Sequence, residues 1–328
     1  MSLAEPVTSS LRDAGLDPLY VEDLVRATLE EDLAGGADVT SEATISPQQW
    51  ARATLSAQSA GVIAGLPVVE ATFEASGDGM EIQRRMAEGS WVEPGTPLLT
   101  VVGPTRQILL AERTALNLGS RLSGIATATN QWVHAVSGTG ATIRDTRKTT
   151  PLLRPLEKYA VRVGGGENHR SSLSDMALIK DNHVAAAGGI TAALQAVRAA
   201  APDVPVEVEV DDVAGAVEAV EAGAELILLD NFSVDQTREA VAAVGGRAQL
   251  EVSGGLNIQD ARAYGESGVN YISVGGLTHS ARALDVSLEI EQVGFTEPEA
   301  NTANSWFTPA ASDAGVPGRD TSENSIVT

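Results

Sequence analysis

Residues 206–255 read VEVEVDDVAGAVEAVEAGAELILLDNFSVDQTREAVAAVGGRAQLEVSGG. Three short runs rich in Val, Leu and Ile alternate here with two alanine-rich segments of helical pattern. The runs are too short for helices and suit strands. Outward from this stretch the same grammar continues, with ATIRD (141–145) and MALIKD (176–181) before it and YISVGG (271–276) after it. Five of the six runs end in a charged or amide residue, or in serine followed by two glycines. Successive run ends lie about 20 to 35 residues apart, the length of a βα unit. Parallel strands alternating with helices, each ending in a polar residue, predict an α/β barrel whose active face is the C-terminal rim. Six runs leave an incomplete or irregular barrel and a full eightfold one both open.

Before the barrel, Leu19, Val21, Leu24, Val25 and Leu29 predict an amphipathic docking helix over 18–33 that stops near Gly35 and Gly36. Short strand candidates follow in ATLSAQ, GVIAGL and GSWVEPGTPLLTVVG. The last is similar to a lipoyl- or biotinyl-type hairpin, but no lysine precedes Lys148, which excludes a carrier role and leaves a scaffold. From Thr105 to about Val136 the period is helical, with Gly119, Ser123 and Gly124 permitting close contacts. On this helix Arg113 and Arg121 read, on their own, as solvated or salt-bridged. The pattern fades after Leu288. Residues 293–328, rich from Pro298 onward in Pro, Ala, Ser, Thr and Asn, are expected to form a flexible tail that Trp306 and Phe307 could dock.

The chain has 328 residues, 43% of them hydrophobic, enough to bury a large core, and a formal net charge of −22. That charge opposes nonspecific binding to nucleic acid or to an anionic membrane. With no cysteine there is no disulfide, thiolate metal site or cysteine nucleophile. No basic start with an apolar run opens the chain, and no stretch is apolar enough to span a bilayer, so a soluble cytoplasmic protein is expected.

Against this acidic background, Arg144 to Lys180 holds eight Lys/Arg and four Asp/Glu, including all three lysines of the chain. A cationic island in an anionic body implies a small, multiply anionic ligand in a cleft. Its rim residues include Arg144, Asp145, Arg147 and Lys148 after the first strand, and Lys180, Asp181, Asn182 and His183 after the second. His169 and Arg170 follow three glycines. Arg147, Lys148, His169, Arg170 and Lys180 together form a basic wall. Opposite stand Glu207 and Glu209, on one face of their strand, and Asp230. Glu209 and Asp230 suit a Mg²⁺ site or anionic support for a cationic transition state. The turns Ser253-Gly254-Gly255 and Gly275-Gly276 fall where barrels bind phosphate through backbone N–H groups.

The blocks TRKTTP, LEKYAV, GGGENHR and ALIKDNH resemble the signature of the quinolinate phosphoribosyltransferases, or carboxylating nicotinate-nucleotide pyrophosphorylases. The likeness extends through EEDL with DVTSEATI, GVIAGLPV, ERTALNL with RLSGIAT, VEVEV, LILLDNF, EVSGGL and ISVGGLTHSA, roughly residues 22 to 290. It implies an N-terminal α/β sandwich domain with a leading helix (1–120) and an irregular, incomplete α/β barrel (121–292). It further implies that quinolinate and phosphoribosyl pyrophosphate, with Mg²⁺, give nicotinate mononucleotide, pyrophosphate and CO₂. By the resemblance Arg147, His169, Arg170 and Lys180 are quinolinate ligands and Lys148 lies between the substrates. Glu209 and Asp230 lie near the ribose and Mg²⁺, and Ser253, Gly254, Gly255 and Gly275 hold phosphate. Arg113 would be supplied to the neighbouring subunit of a homodimer or higher homo-oligomer. Lys158, in LEKYAV, reads as structural. The family usually carries glycine where Leu152 stands, and the stretch after Asn117 departs from it by reading Leu-Gly-Ser. Two other readings stand beside this one: a transferase homologue associated with molybdenum transport, and a barrel aldolase using Lys148 or Lys180 as a Schiff base.

Overall fold

The structure, a computed structural model, describes residues 2–295. Helices α1 (Glu5–Asp13) and α2 (Pro18–Leu33) lead the chain, followed by α3 (Val39–Thr44). Asp17 starts α2 by accepting the Leu19 N–H at 3.0 Å, and Pro18 fills the first position, where no N–H is needed. Ala34, at φ 49°, ends it ahead of the expected glycines. Val21, Val25 and Leu29 are buried while Leu19 faces solvent, so α2 docks on one face as its spacing predicts.

Next come β1 (Trp50–Ala57), β2 (Gly61–Val62), α4 (Leu66–Ala75), β3 (Glu81–Arg84), β4 (Trp91–Val92) and β5 (Pro97–Pro104). The expected hairpin within 89–103 does not form. Strand β4 pairs with β2, whereas β5 pairs antiparallel with both β1 and β3. The intervening Glu93–Thr96 turn carries the chain between the two sheets, closed by Thr96 N–H donating to Glu93 O at 3.1 Å.

Helix α5 (Thr105–Ala135) runs 31 residues without a break. Ile108, Ala111, Ala115 and Leu116 lie in the core under the antiparallel sheet, whereas Leu122, Ile125, Ala126 and Trp132 lie in the barrel core. The expected division at residue 120 falls within this helix, which therefore couples the two cores. Truncating Ile108 or Ile125 to alanine should remove about 2–5 kcal/mol from either side.

The barrel follows as β6 (Thr142–Arg144), α6 (Arg154–Val163), β7 (Ala177–Ile179), α7 (Asp181–Ala187), α8 (Ile190–Ala200), β8 (Val206–Val210), α9 (Val213–Glu221) and β9 (Leu226–Asp230). It continues with α10 (Val234–Val244), β10 (Gln249–Ser253), a 3-10 turn (Ile258–Asp260), α11 (Ala261–Gly265), β11 (Tyr271–Ser273) and α12 (Gly276–His279). All six predicted runs are strands. They form one parallel sheet in the order β6-β11-β10-β9-β8-β7, open between β6 and β7. This is the incomplete barrel.

The last strand, β12 (Val286–Phe295), leaves the barrel and pairs antiparallel with β1, making the order β12-β1-β5-β3. Residues that the sequence reading assigned to the barrel as far as 292 thus complete the first sheet, where they satisfy the free backbone edge of β1. The expected flexible tail, with Trp306 and Phe307, lies outside the described residues from 296 onward. Among the described residues no helix is long and apolar enough to cross a membrane.

Candidate active site

The mouth of the barrel rests on a buried ionic layer. Asp145, just past β6, is fully buried. Its Oδ1 accepts from Lys158 Nζ at 2.5 Å and from the His169 N–H at 2.8 Å, and its Oδ2 accepts from Asn168 Nδ2 at 2.7 Å. Lys158 also donates to His169 O at 2.9 Å. Burial raises the Asp145 carboxyl and lowers the Lys158 ammonium, and the attraction between the two opposes both shifts. Lys158 is structural, as its place in LEKYAV suggests.

His169 Nε2 lies 2.7 Å from Glu207 Oε2 and 3.4 Å from Glu251 Oε1, while its Nδ1 accepts the Arg170 N–H at 2.8 Å. A ring whose Nδ1 accepts carries its proton on Nε2 and is neutral. Burial lowers its pKa in the same sense. His169 lines the pocket as the sequence predicts but adds no charge to the basic wall, because both ring nitrogens face protein partners.

Beneath it, burial pushes the Glu207 carboxyl up to about 7, and Glu207 Oε1 has no hydrogen-bond partner among the described residues. Burial also raises Glu251, which accepts from Arg144 Nη1 at 2.9 Å and from the Ser273 hydroxyl. The Arg144 guanidinium stacks on Tyr271, 3.2 Å from the ring centroid. Ligand atoms of His169, Glu207 and Glu251 come within 4.8 Å of one another. A cation there would displace the Nε2 proton and crowd Arg144, so this group reads as a hydrogen-bonded support rather than a metal site.

Above this layer a pocket of about 330 Å³ opens at the strand ends. Arg147, Lys148, Arg170 and Lys180 line it together with Glu209 and Asp230, and Leu178 and Leu228 supply apolar walls. Arg147 Nε is buried without a hydrogen-bond partner. Burial, and then the charge of the adjacent Arg147, lower the pKa of Arg170. These two guanidiniums repel each other until an anion arrives. Lys180 is ion-paired with Glu209, so its charge is already matched. Asp230 Oδ2 accepts from Asn231 Nδ2 at 2.7 Å.

A second pocket of about 490 Å³ adjoins the first and is lined by Ser253 to Gly255, Gly275, Gly276 and, from α5, Thr127 and Gln131. Lys148, Ser253 and Ser273 line both pockets. Gly254 sits at φ 96°, and a Cβ there would lie 2.8 Å from the Asn231 backbone nitrogen. At Gly275 a Cβ would come within 3.0 Å of Lys148 Cδ, so any larger residue would push on that lysine. Backbone N–H groups in such tight turns can meet phosphate oxygens directly.

Every residue that the resemblance assigns to the site lines one of the two pockets except Arg113, which is exposed on α5 and has no hydrogen-bond or ion-pair partner among the described residues; Glu207, expected to face the basic wall beside Glu209, lies instead in the buried layer beneath. Arg121 is salt-bridged, as its bland reading expects: it pairs with the buried Glu157 at 2.9 Å and also meets Thr278 O, tying α5 to α6 and α12. His183 Nδ1 accepts the Lys180 N–H at 3.0 Å and caps α7 rather than facing ligand. Glu251 is not singled out by the sequence patterns, although it stands two residues before Ser253 on the same strand face. Thr127 and Gln131 are likewise not singled out there, although their four-residue spacing on α5 marks a polar stripe. No lysine sits unpaired in an apolar pocket, as a Schiff-base nucleophile requires: Lys158 and Lys180 are ion-paired and Lys148 is exposed.

Comparison with known proteins agrees with this arrangement. Residues 38–123 match the family model "Quinolinate phosphoribosyl transferase, N-terminal domain", and residues 125–289 match its C-terminal counterpart. The chain is 50% identical over 273 residues to the nicotinate-nucleotide pyrophosphorylase [carboxylating] of Mycobacterium leprae, covering 82% of this chain and 96% of the relative. It is 39% identical to the probable enzyme of that name from Bacillus subtilis, covering 84% and 95%. The crystal structure of NadC from Streptococcus pyogenes superposes with a TM-score of 0.81 at 39% identity, covering 85% of this chain and 98% of that one. Matched in both domains and by relatives over most of their length, this chain belongs to the quinolinate phosphoribosyltransferase family.

Proposed function

We propose that this protein transfers the phosphoribosyl group of phosphoribosyl pyrophosphate to the ring nitrogen of quinolinate, with loss of pyrophosphate and CO₂, to give nicotinate mononucleotide for NAD biosynthesis. The observation that carries this reading is the pair of adjoining pockets with Lys148 at their junction. One offers arginines to carboxylates and leucines to a flat ring, and the other offers glycine turns to phosphates.

In this mechanism Arg147 and Arg170 hold the dicarboxylate so that the ring nitrogen faces the ribose, and Arg147 Nε gains the partner it lacks. The nitrogen lone pair forms the bond to C1′ as the bond from C1′ to the pyrophosphate oxygen breaks. Positive charge grows on the ribose, and Glu209 and Asp230 supply the opposing carboxylates while Lys148 neutralises the departing pyrophosphate. The bond from C2 to its carboxylate then breaks, the electrons stay on C2 beside the cationic nitrogen, and C2 takes a proton.

Glu209, one residue before the end of β8, and Asp230, the last residue of the adjacent parallel strand β9, present hard oxygen donors, a set that suits Mg²⁺. Bound there with substrate oxygens, Mg²⁺ would supply further charge neutralisation at the pyrophosphate. Arg113, exposed, unpaired among the described residues and outside both pockets, fits a residue delivered to a neighbouring subunit's site in a homodimer or larger homo-oligomer. A cytoplasmic location fits the bacterial relatives, whereas the rice relative is named as chloroplastic.

Incubating the purified protein with Mg²⁺, quinolinate and phosphoribosyl pyrophosphate should yield nicotinate mononucleotide, and nicotinate in place of quinolinate should yield little. Absence of product from quinolinate, or equal product from nicotinate, would overturn the assignment.

A further inference from the structure

The loop that carries Arg147 and Lys148 is held partly by the leading helix α2, more than 100 residues earlier in the chain. Leu152 closes this loop at φ 68°, a left-handed conformation in which Cβ crowds the following carbonyl. Its side chain is 81% exposed, so no burial offsets that strain. Its carbonyl, however, accepts from the Tyr20 hydroxyl at 2.6 Å, across 132 residues of sequence. Tyr20 lies on α2, packed against the core. The neighbouring contacts anchor other points of the loop: Thr150 N–H to Glu157 Oε2 at 3.1 Å, Arg154 Nε to Thr149 Oγ1 at 3.0 Å, and Thr278 Oγ1 to Lys148 O at 2.8 Å. Among the described residues none of these reaches the Leu152 carbonyl.

We propose that Tyr20 is a positioning residue for the transfer reaction: its hydroxyl holds Leu152 in the left-handed turn and so sets Arg147 and Lys148 in the pocket. Burial, and then the charge of Glu157, push its hydroxyl up to about 12, so Tyr20 remains a donor throughout the neutral range. In chemical terms the leading helix of the chain sets the register of the cations that receive the dicarboxylate. Tyr20 touches no reacting atom. The inference rests on the proposed function for its kinetic readout and on the fold alone for its exchange readout.

The test compares Tyr20→Phe, Leu152→Gly and the double variant in the full-length protein. Amide exchange over residues 146–153 should speed up at least 10-fold in Tyr20→Phe, with the midpoint of thermal unfolding within about 2 °C of wild type. KM for quinolinate should rise about 10-fold while kcat changes less than 3-fold. Glycine adopts positive φ without strain, so the double variant should recover KM to within about 3-fold of wild type. Wild-type exchange and KM in Tyr20→Phe would overturn the proposal, as would a loss that follows thermal stability and is not recovered by Leu152→Gly. Wild-type protein that makes no nicotinate mononucleotide would instead sink the proposed function, and exchange in the loop would still decide whether Tyr20 pins it.

Discussion

The two ionic layers of the barrel use the same residue types to opposite ends. In the lower layer most charges are matched within the chain: Lys158 with Asp145, Arg144 with Glu251, and Glu207 beside the His169 N–H. In the upper layer Arg147 and Arg170 crowd each other, and among the described residues neither forms an ion pair. A buried charge with its partner fixes a backbone, whereas cations gathered without one store repulsion that an anionic ligand relieves. Charge count alone therefore does not locate a binding site. What matters is whether the charges are satisfied.

If the upper layer binds ligand and the lower layer holds the fold, substitutions in the upper layer should cost activity and leave stability intact. Lys148→Ala should lower kcat/KM roughly 10³-fold with the thermal midpoint within about 2 °C of wild type, read by steady-state kinetics beside calorimetry. Glu209→Ala should do much the same, since it also leaves Lys180 without its counter-ion. The converse test is Asp145→Ala, which strands the buried Lys158 ammonium and should reduce stability by about 3–5 kcal/mol, measured by urea unfolding. A stable, inactive Asp145 variant would reverse the roles of the two layers.

The lower layer should also show a smaller, pH-dependent effect. The Glu207 carboxyl moves from 4.5 to about 7 on folding, so between those values the folded protein keeps a proton that the unfolded chain has released. Stability from this group is complete below about pH 4.5 and is lost as the pH rises through about 7. Glu207→Gln is neutral at every pH and escapes that loss. From pH 4.5 to 7.5 the stability difference should move in the variant's favour by about 3 kcal/mol. A pH-independent difference would place the ionised carboxylate, not the acid, in the folded layer.

Much of this was legible along the chain. The six strands, helices α2 and α5, and the clustering of cations opposite Glu209 and Asp230 all follow from local periodicity and from residues at strand ends, because a βα unit carries its function where the strand stops. Leu152 was legible as a departure from a glycine position, and its φ of 68° supplies the physical reason that glycine would suit it.

The rest depends on contacts between residues far apart in the sequence. Strand β12 belongs to the first sheet because the edge of β1 needed a partner, and edge pairing has no local signature. The neutrality of His169 depends on Glu207 and on the Arg170 amide, brought to its two ring nitrogens by the fold. Likewise Tyr20 meets Leu152 only because α2 packs beside the mouth. Sequence determined which charges gather at the strand ends, since that depends on residues a few positions apart. Which of them are satisfied, and which are left for a ligand, depends on partners up to 107 residues away, as between Arg144 and Glu251, and so was settled only by packing.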